Sequence, residues 1–196
     1  MFVINPCAAG CGKPAITGNL LCFIHQANPE QEYIRICNYI KDNSTIKDLI
    51  VSGMHFRDMD FSQRHFYGCN FRETSFFNCN FSSVKIRMSF FDFAEFYNCE
   101  FIKSDIQFLS FAGASINACD FSDSEIVHAN FEGASINDTS FDNSNLYNSR
   151  FIGAGLNRLS FINCNLKRVH LAGVKQNDVI YRSSNTAEAI YETEEQ

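Results

Sequence analysis

The sequence predicts an all-β chain whose main body is a four-sided β-solenoid over residues 46–171, with a small cysteine-rich module and a capping helix before it. Three observations predict this. Phe, Ile or Leu stands at every fifth residue from Phe56 to Leu171, 24 positions without an insertion. Ala, Cys, Ser or Thr stands two places before 17 of those 24 centres. Closely similar stretches recur at a spacing of 20, namely Phe111–Asn117, Phe131–Asn137 and Phe151–Asn157.

A period of five is neither the 2 of a strand nor the 3.6 of a helix. It fits a chain that turns a corner after each five residues. On extended backbone, residues two apart point the same way. The small residue and the large one then both face inward, and the other three face out. Four such sides make a coil of 20, so equivalent residues stack on the next coil. From position 86 onward Phe alternates with Ile or Leu at most centres, and 15 of the 21 Phe occupy centres. Seven residues in the small slot are larger: Met54, Met59, Arg64, Val84, Leu109, Leu159 and Val169.

Residues 1–27 carry Cys7, Cys11, Cys22 and His25, a C-x3-C-x10-C-x2-H pattern. Three thiolates and an imidazole are a tetrahedral zinc set, and four protein ligands make a closed, structural site. A segment this small has almost no core and needs a staple. Ordinary buried thiols are the alternative. The module resembles the small zinc-ribbon or treble-clef-like knuckles, a resemblance of about 20 residues. That resemblance is compatible with nucleic-acid contact, but Lys13 is the module's one basic residue.

In residues 28–45, Tyr33, Ile34, Cys37, Tyr39 and Ile40 recur at near-helical spacing. They predict a helix over 29–41 that packs on the first coil. Such a cover is needed, because an open solenoid end is an exposed edge.

The repeat of residues 46–171, small–polar–large apolar–x–x, resembles that of the pentapeptide-repeat family. Ile46 and Val51 extend the register upstream. The resemblance implies a right-handed quadrilateral β-helix. Residues 56–171 amount to six coils, a tube about 29 Å long at ~4.8 Å per coil. Asn117, Asn137, Asn157 and Asn177 recur at 20 and predict an Asn ladder. Cys79, Cys99 and Cys119 recur likewise in the small slot, where Cys substitutes for Ala, Ser and Thr. Residues 172–196 leave the register. Thr186–Glu192 reads as a short helix, serving as a cap or as a contact in a homodimer.

Composition narrows the function. A net charge of −6 disfavours direct nucleic-acid binding. No apolar run is long enough to cross a bilayer, and the N-terminus lacks the pattern of a secretory signal. Nine Cys, an odd number, then point to a reduced, cytoplasmic chain. No nucleophile elbow, phosphate loop or HExxH motif occurs, and His55, His65, His128 and His170 fall in outward slots. The chain therefore reads as a non-enzymatic binding surface.

Ten acids against one base, Lys103, lie between Asp92 and Asp142. Folded at 20 per coil, Asp92, Glu100, Asp105, Asp120, Asp123, Glu125 and Glu132 form a negative band around the middle of the tube, with basic flanks on both sides. Solvation alone accounts for many such runs. The functional reading is a docking patch for a protein with a basic surface, which makes the chain a scaffold or adaptor. The alternative comes from the family resemblance. Some pentapeptide-repeat proteins are acidic rods that bind DNA gyrase in place of duplex DNA, inhibiting it or protecting it from inhibitors.

Overall fold

The computed structural model describes residues 4–191. Its body is a four-sided coil with a step of 20 residues at every rung, as in Thr45↔His65, Ile116↔Ile136 and Leu156↔Gln176. One side is a sheet of five parallel strands running from Thr45–Lys47 to Glu125–Val127. The opposite side has seven, from His55–Arg57 to Lys175–Ile180. The two remaining sides join through single bridges, such as Glu100↔Asp120 and Asn70↔Phe90. Residues 45–190 make about seven coils, a tube about 34 Å long at ~4.8 Å per coil. Ile46 and Val51, both fully buried, belong to it.

Each corner needs one residue in the left-handed region. Twenty-two non-glycine residues have positive φ there, and ten of them are Asn or Asp, which tolerate it best. The remainder carry a strain of about 1 kcal/mol or more apiece. Backbone hydrogen bonds along the axis offset it, for example Phe101 N–H to Asp120 O at 2.6 Å and Ile126 N–H to Asn145 O at 2.7 Å.

The interior is two facing ladders of rings. Phe61, Phe81, Phe101 and Phe121 stack at 4.4–4.6 Å between centroids, with their ring planes nearly parallel. Phe111, Phe131 and Phe151 stack on another side at 4.6–4.9 Å. The ladders meet edge to face, as at Phe111–Phe121, 6.2 Å and 89°. The other two sides carry Phe56, Phe66, Phe76 and Phe96 in the first coils and Ile or Leu at the remaining centres from Ile86 to Leu166, so the alternation in the sequence is an alternation of sides.

The small slot has a second requirement besides size. Ser104, Ser124 and Ser144 donate to the carbonyls of Phe81, Phe101 and Phe121 at 2.7–2.8 Å. Cys99 and Cys164 donate to Phe76 O and Phe141 O in the same way. Cys and Ser are therefore interchangeable as short donors as well as small fillers. No buried side-chain polar atom lacks a partner among the described residues. The predicted Asn ladder forms, with Asn137 Nδ2 donating to Asn117 Oδ1 at 3.0 Å and Asn177 to Asn157 at 2.6 Å.

The N-terminal helix spans Pro29–Asp42, with Pro at its first position and the Asn28 side chain accepting from Gln31 N–H. Ile36, Cys37 and Ile40 are buried, and Tyr33 lies 5.7 Å from the Phe56 ring. Arg64, an exception in the small slot, donates to Ile40 O at 2.7 Å and so ties the last turn of the helix to the first coils.

The other end differs from expectation. The coil does not stop at Leu171. Tyr181 stacks on Phe161 at 5.2 Å, and His170 pairs with Ile190. At the small-slot positions stand Val174, Val179, Ser184 and Ala189, of which Ser184 and Ala189 are small and the two valines are exceptions like Val84 and Val169. The centre breaks at Gln176, which is exposed, with no rung above it among the described residues. The expected helix over 186–192 is a 3₁₀ turn at Thr186–Glu188 followed by extended chain, since Ile190 is held by the rung below, N–H to Val169 O at 2.8 Å. Glu192 lies outside the described residues.

Candidate functional site

The cysteine module is built from a pair of short turns. Pro6 and Pro14 pair antiparallel, and Cys7 N–H donates to Lys13 O at 2.9 Å. Gly10 and Gly12, at φ of 73° and 77°, let the chain reverse between them and carry Cys11 back. A 3₁₀ turn, Phe23–His25, follows Cys22 and brings His25 onto the same side. All four ligand atoms of Cys7, Cys11, Cys22 and His25 lie within 4.8 Å of one another. Cys11 Sγ is 3.6 Å from Cys22 Sγ, and His25 Nδ1 is 3.4 Å from Cys22 Sγ and 3.5 Å from Cys7 Sγ.

These separations can be compared with a tetrahedron. Zinc–ligand bonds of ~2.3 Å to sulfur and ~2.0 Å to nitrogen place two sulfurs about 3.8 Å apart and sulfur and nitrogen about 3.5 Å apart. The cluster matches, and can bind a metal. Backbone N–H of Cys22 donates to Cys7 Sγ at 3.3 Å and draws the Cys7 thiol down to about 6, against desolvation. Burial pushes Cys22 up instead. Two solenoid thiols contrast with Cys7: burial raises Cys69 to about 12 and Cys164 to about 11.

The module docks on the first coils. Thr17 N–H donates to Ile50 O and Ile50 N–H to Thr17 Oγ1, at 3.0 and 2.7 Å. Lys13 pairs with Glu73 at 2.6 Å. A cleft of about 360 Å³, lined by Ile4, Lys13, Asn70, Arg72 and Glu73 among others, separates module and solenoid.

The acidic columns fall where the 20-residue step puts them. Asp60, Asn80, Glu100 and Asp120 are successive rungs, and Asp105 faces Glu125. The charge is unevenly neutralised. Asp92 is buried, pairs with Arg72 at 2.7 Å and accepts from Ser110. Asp105 pairs with Arg87, Glu132 with Arg150 at 3.6 Å, and Asp138 with Arg158 at 2.5 Å. Sequence reasoning missed these pairs, although spacings of 18 and 20 were the signal for them. Glu100, Asp120, Asp123 and Glu125 have no ion-pair partner among the described residues. They lie on one side, the following corner and the start of the next side.

A closed four-sided coil with this interior defines a β-solenoid protein of the quadrilateral class. Residues 55–91 match the model of pentapeptide repeats (8 copies), and residues 94–171 that of a pentapeptide repeat region. The chain belongs to the pentapeptide-repeat family, whose β-helix is right-handed. No curated protein matches it in sequence. Among solved structures it is similar to HetL, a pentapeptide repeat protein involved in heterocyst differentiation regulation from the cyanobacterium Nostoc sp. strain PCC 7120. The identity is 13%, over 82% of this chain and 96% of that one, at a TM-score of 0.36. Full-length QnrB1, a plasmid-mediated fluoroquinolone resistance protein, is 17% identical over 75% and 80% of the two chains, at a TM-score of 0.34. A pentapeptide repeat protein from the thylakoid lumen of Arabidopsis thaliana is 21% identical over 53% and 65%, at a TM-score of 0.22.

Proposed function

We propose that the chain is a non-catalytic, cytoplasmic scaffold that docks a protein partner with a basic surface, and that its N-terminal module is stapled by one structural zinc. The zinc reading is supported by ligand-atom separations of 3.4–3.6 Å, the edges of a zinc tetrahedron. All four positions are protein ligands, which leaves no open position for substrate or water. Native mass spectrometry should find one zinc per chain, and a folded, metal-free protein would count against it.

The observation that carries the docking reading is the unpaired quartet Glu100, Asp120, Asp123 and Glu125 on a rigid, filled tube. Fixed carboxylates steer a cationic partner at little entropic cost. A fluorescein-labelled decapeptide of alternating arginine and leucine is a suitable probe. It should bind, weaken as salt rises, and lose about tenfold in affinity with the triple variant Asp120→Asn, Asp123→Asn, Glu125→Asn. Affinity independent of all three carboxylates would remove this reading.

Mimicry of duplex DNA is less well supported. Duplex DNA carries about one negative charge per 1.7 Å, or about 20 over a tube of this length. Four unpaired carboxylates are far short of that. Gyrase supercoiling assays decide the matter: no inhibition and no protection from quinolone is the expected result.

A further inference from the structure

Three exposed apolar residues occupy corner positions, where Phe108 stacks on His128 at 4.9 Å and the other two leave most of their surface in water. Met88, Phe93 and Phe108 are 55, 67 and 57% exposed, and all three have positive φ, of 47°, 57° and 54°. Bulky side chains are disfavoured in that region, and their apolar surface is disfavoured in water. The same columns elsewhere carry Gly68 and Asn148, or Gly53, Gly113, Gly133 and Gly153. Strain retained at a corner that leaves an aromatic ring mostly exposed is a pointer to a binding role.

Phe93 is the most informative of them. Its ring lies across the next coil at Gly113, where a Cβ would come within 2.6 Å of it, so Gly113 leaves room for the ring. Around the corner on the same coil stand Glu95 and then Tyr97, 54% exposed. Glu100 follows on the next side. Aromatic, acid, aromatic and acid thus run along one coil. Neither Glu95 nor Glu100 has an ion-pair partner among the described residues.

The neighbouring rings show what such rings accept. Arg57 lies over Phe77 at 5.0 Å, one rung below Tyr97, and Arg72 lies over Phe90 at 4.5 Å. Phe93 and Tyr97 have no cation over them among the described residues. We infer that Phe93, Glu95, Tyr97 and Glu100 form the specific part of the docking surface, and that its occupant is an arginine-bearing segment of a protein partner. Guanidinium groups would lie on the rings and pair with the flanking carboxylates, as Arg72 does with Phe90 and Asp92. This rests on the docking reading above and assigns its contact to a defined coil.

The test uses the full chain and the same arginine–leucine peptide, followed by fluorescence anisotropy. Each variant takes the residue its own column carries on a neighbouring coil, or one suited to the corner: Phe93→Asn with Tyr97→Asn, and Glu95→Ser with Glu100→Asn. Asn tolerates positive φ, so the first pair should unfold no earlier than wild type. Each pair should weaken the peptide by about tenfold, and an acidic glutamate–leucine peptide should not bind. Unchanged affinity in Phe93→Asn/Tyr97→Asn, with loss in the Asp120, Asp123 and Glu125 variant, would overturn this inference and leave the docking reading standing. Failure of the wild type to bind would overturn both.

Discussion

The N-terminal module and the solenoid solve the same problem by opposite means. The solenoid buries rank upon rank of rings, from Phe56 to Phe161, and each coil templates the next. The module has Ala15, Ile16, Cys7 and Cys22 as its buried apolar residues, and brings its ligand atoms together in one place. One region is held by repetition, the other, on the proposed zinc reading, chiefly by a single point. It follows that damage to the solenoid should be graded by position, whereas damage to the module should be all or none.

The largest contrast comes from metal removal. Cys22→Ser should abolish zinc binding in native mass spectrometry and lose the module's structure, because apparent zinc free energies in such sites reach about 10 kcal/mol or more. The solenoid's circular dichroism should hardly change. Acidification should release the metal in the same way, since protons compete for three thiolates and an imidazole.

A core lesion comes next. Phe111→Ala removes a fully buried ring stacked on Phe131 at 4.9 Å and edge-on to Phe101 and Phe121. Denaturant unfolding should show a loss of about 3–5 kcal/mol. The buried hydroxyl is smaller. Ser124 donates to Phe101 O and accepts from Ser104 N–H, so Ser124→Ala leaves both unsatisfied and should cost about 1–3 kcal/mol. Ser124→Cys should recover part of it, because Cys99 and Cys164 make the same donation. Smallest of all, Arg158→Ala breaks an exposed pair with Asp138 and should change stability by less than about 1 kcal/mol.

What the sequence made legible follows this contrast. The solenoid was readable because one packing rule recurs, so Phe, Ile and Leu at every fifth position fixed side, corner and stacking partner at once. The clustering of Cys7, Cys11, Cys22 and His25 was readable because few other reasons place Cys and His at those spacings. The last coil was misread from its centre residue, Gln176, where no rung among the described residues lies above to demand an apolar group. Ser184 and Ala189 in its small slots, and Tyr181 at a centre, still carried the register. The ion pairs that neutralise the margins of the acidic band were hidden by reading along the chain, because Arg72 and Asp92 meet only across coils.

Hydrogen exchange with and without a zinc chelator tests the contrast between the two regions most directly. With zinc, the amides of Cys7, Ala15 and Ile16, each bonded to a backbone carbonyl, should be protected. Chelation should expose them while Phe101, Phe121 and Phe131 stay protected. Module amides that keep their protection without metal, or a solenoid that loses its own at the same moment, would contradict the account.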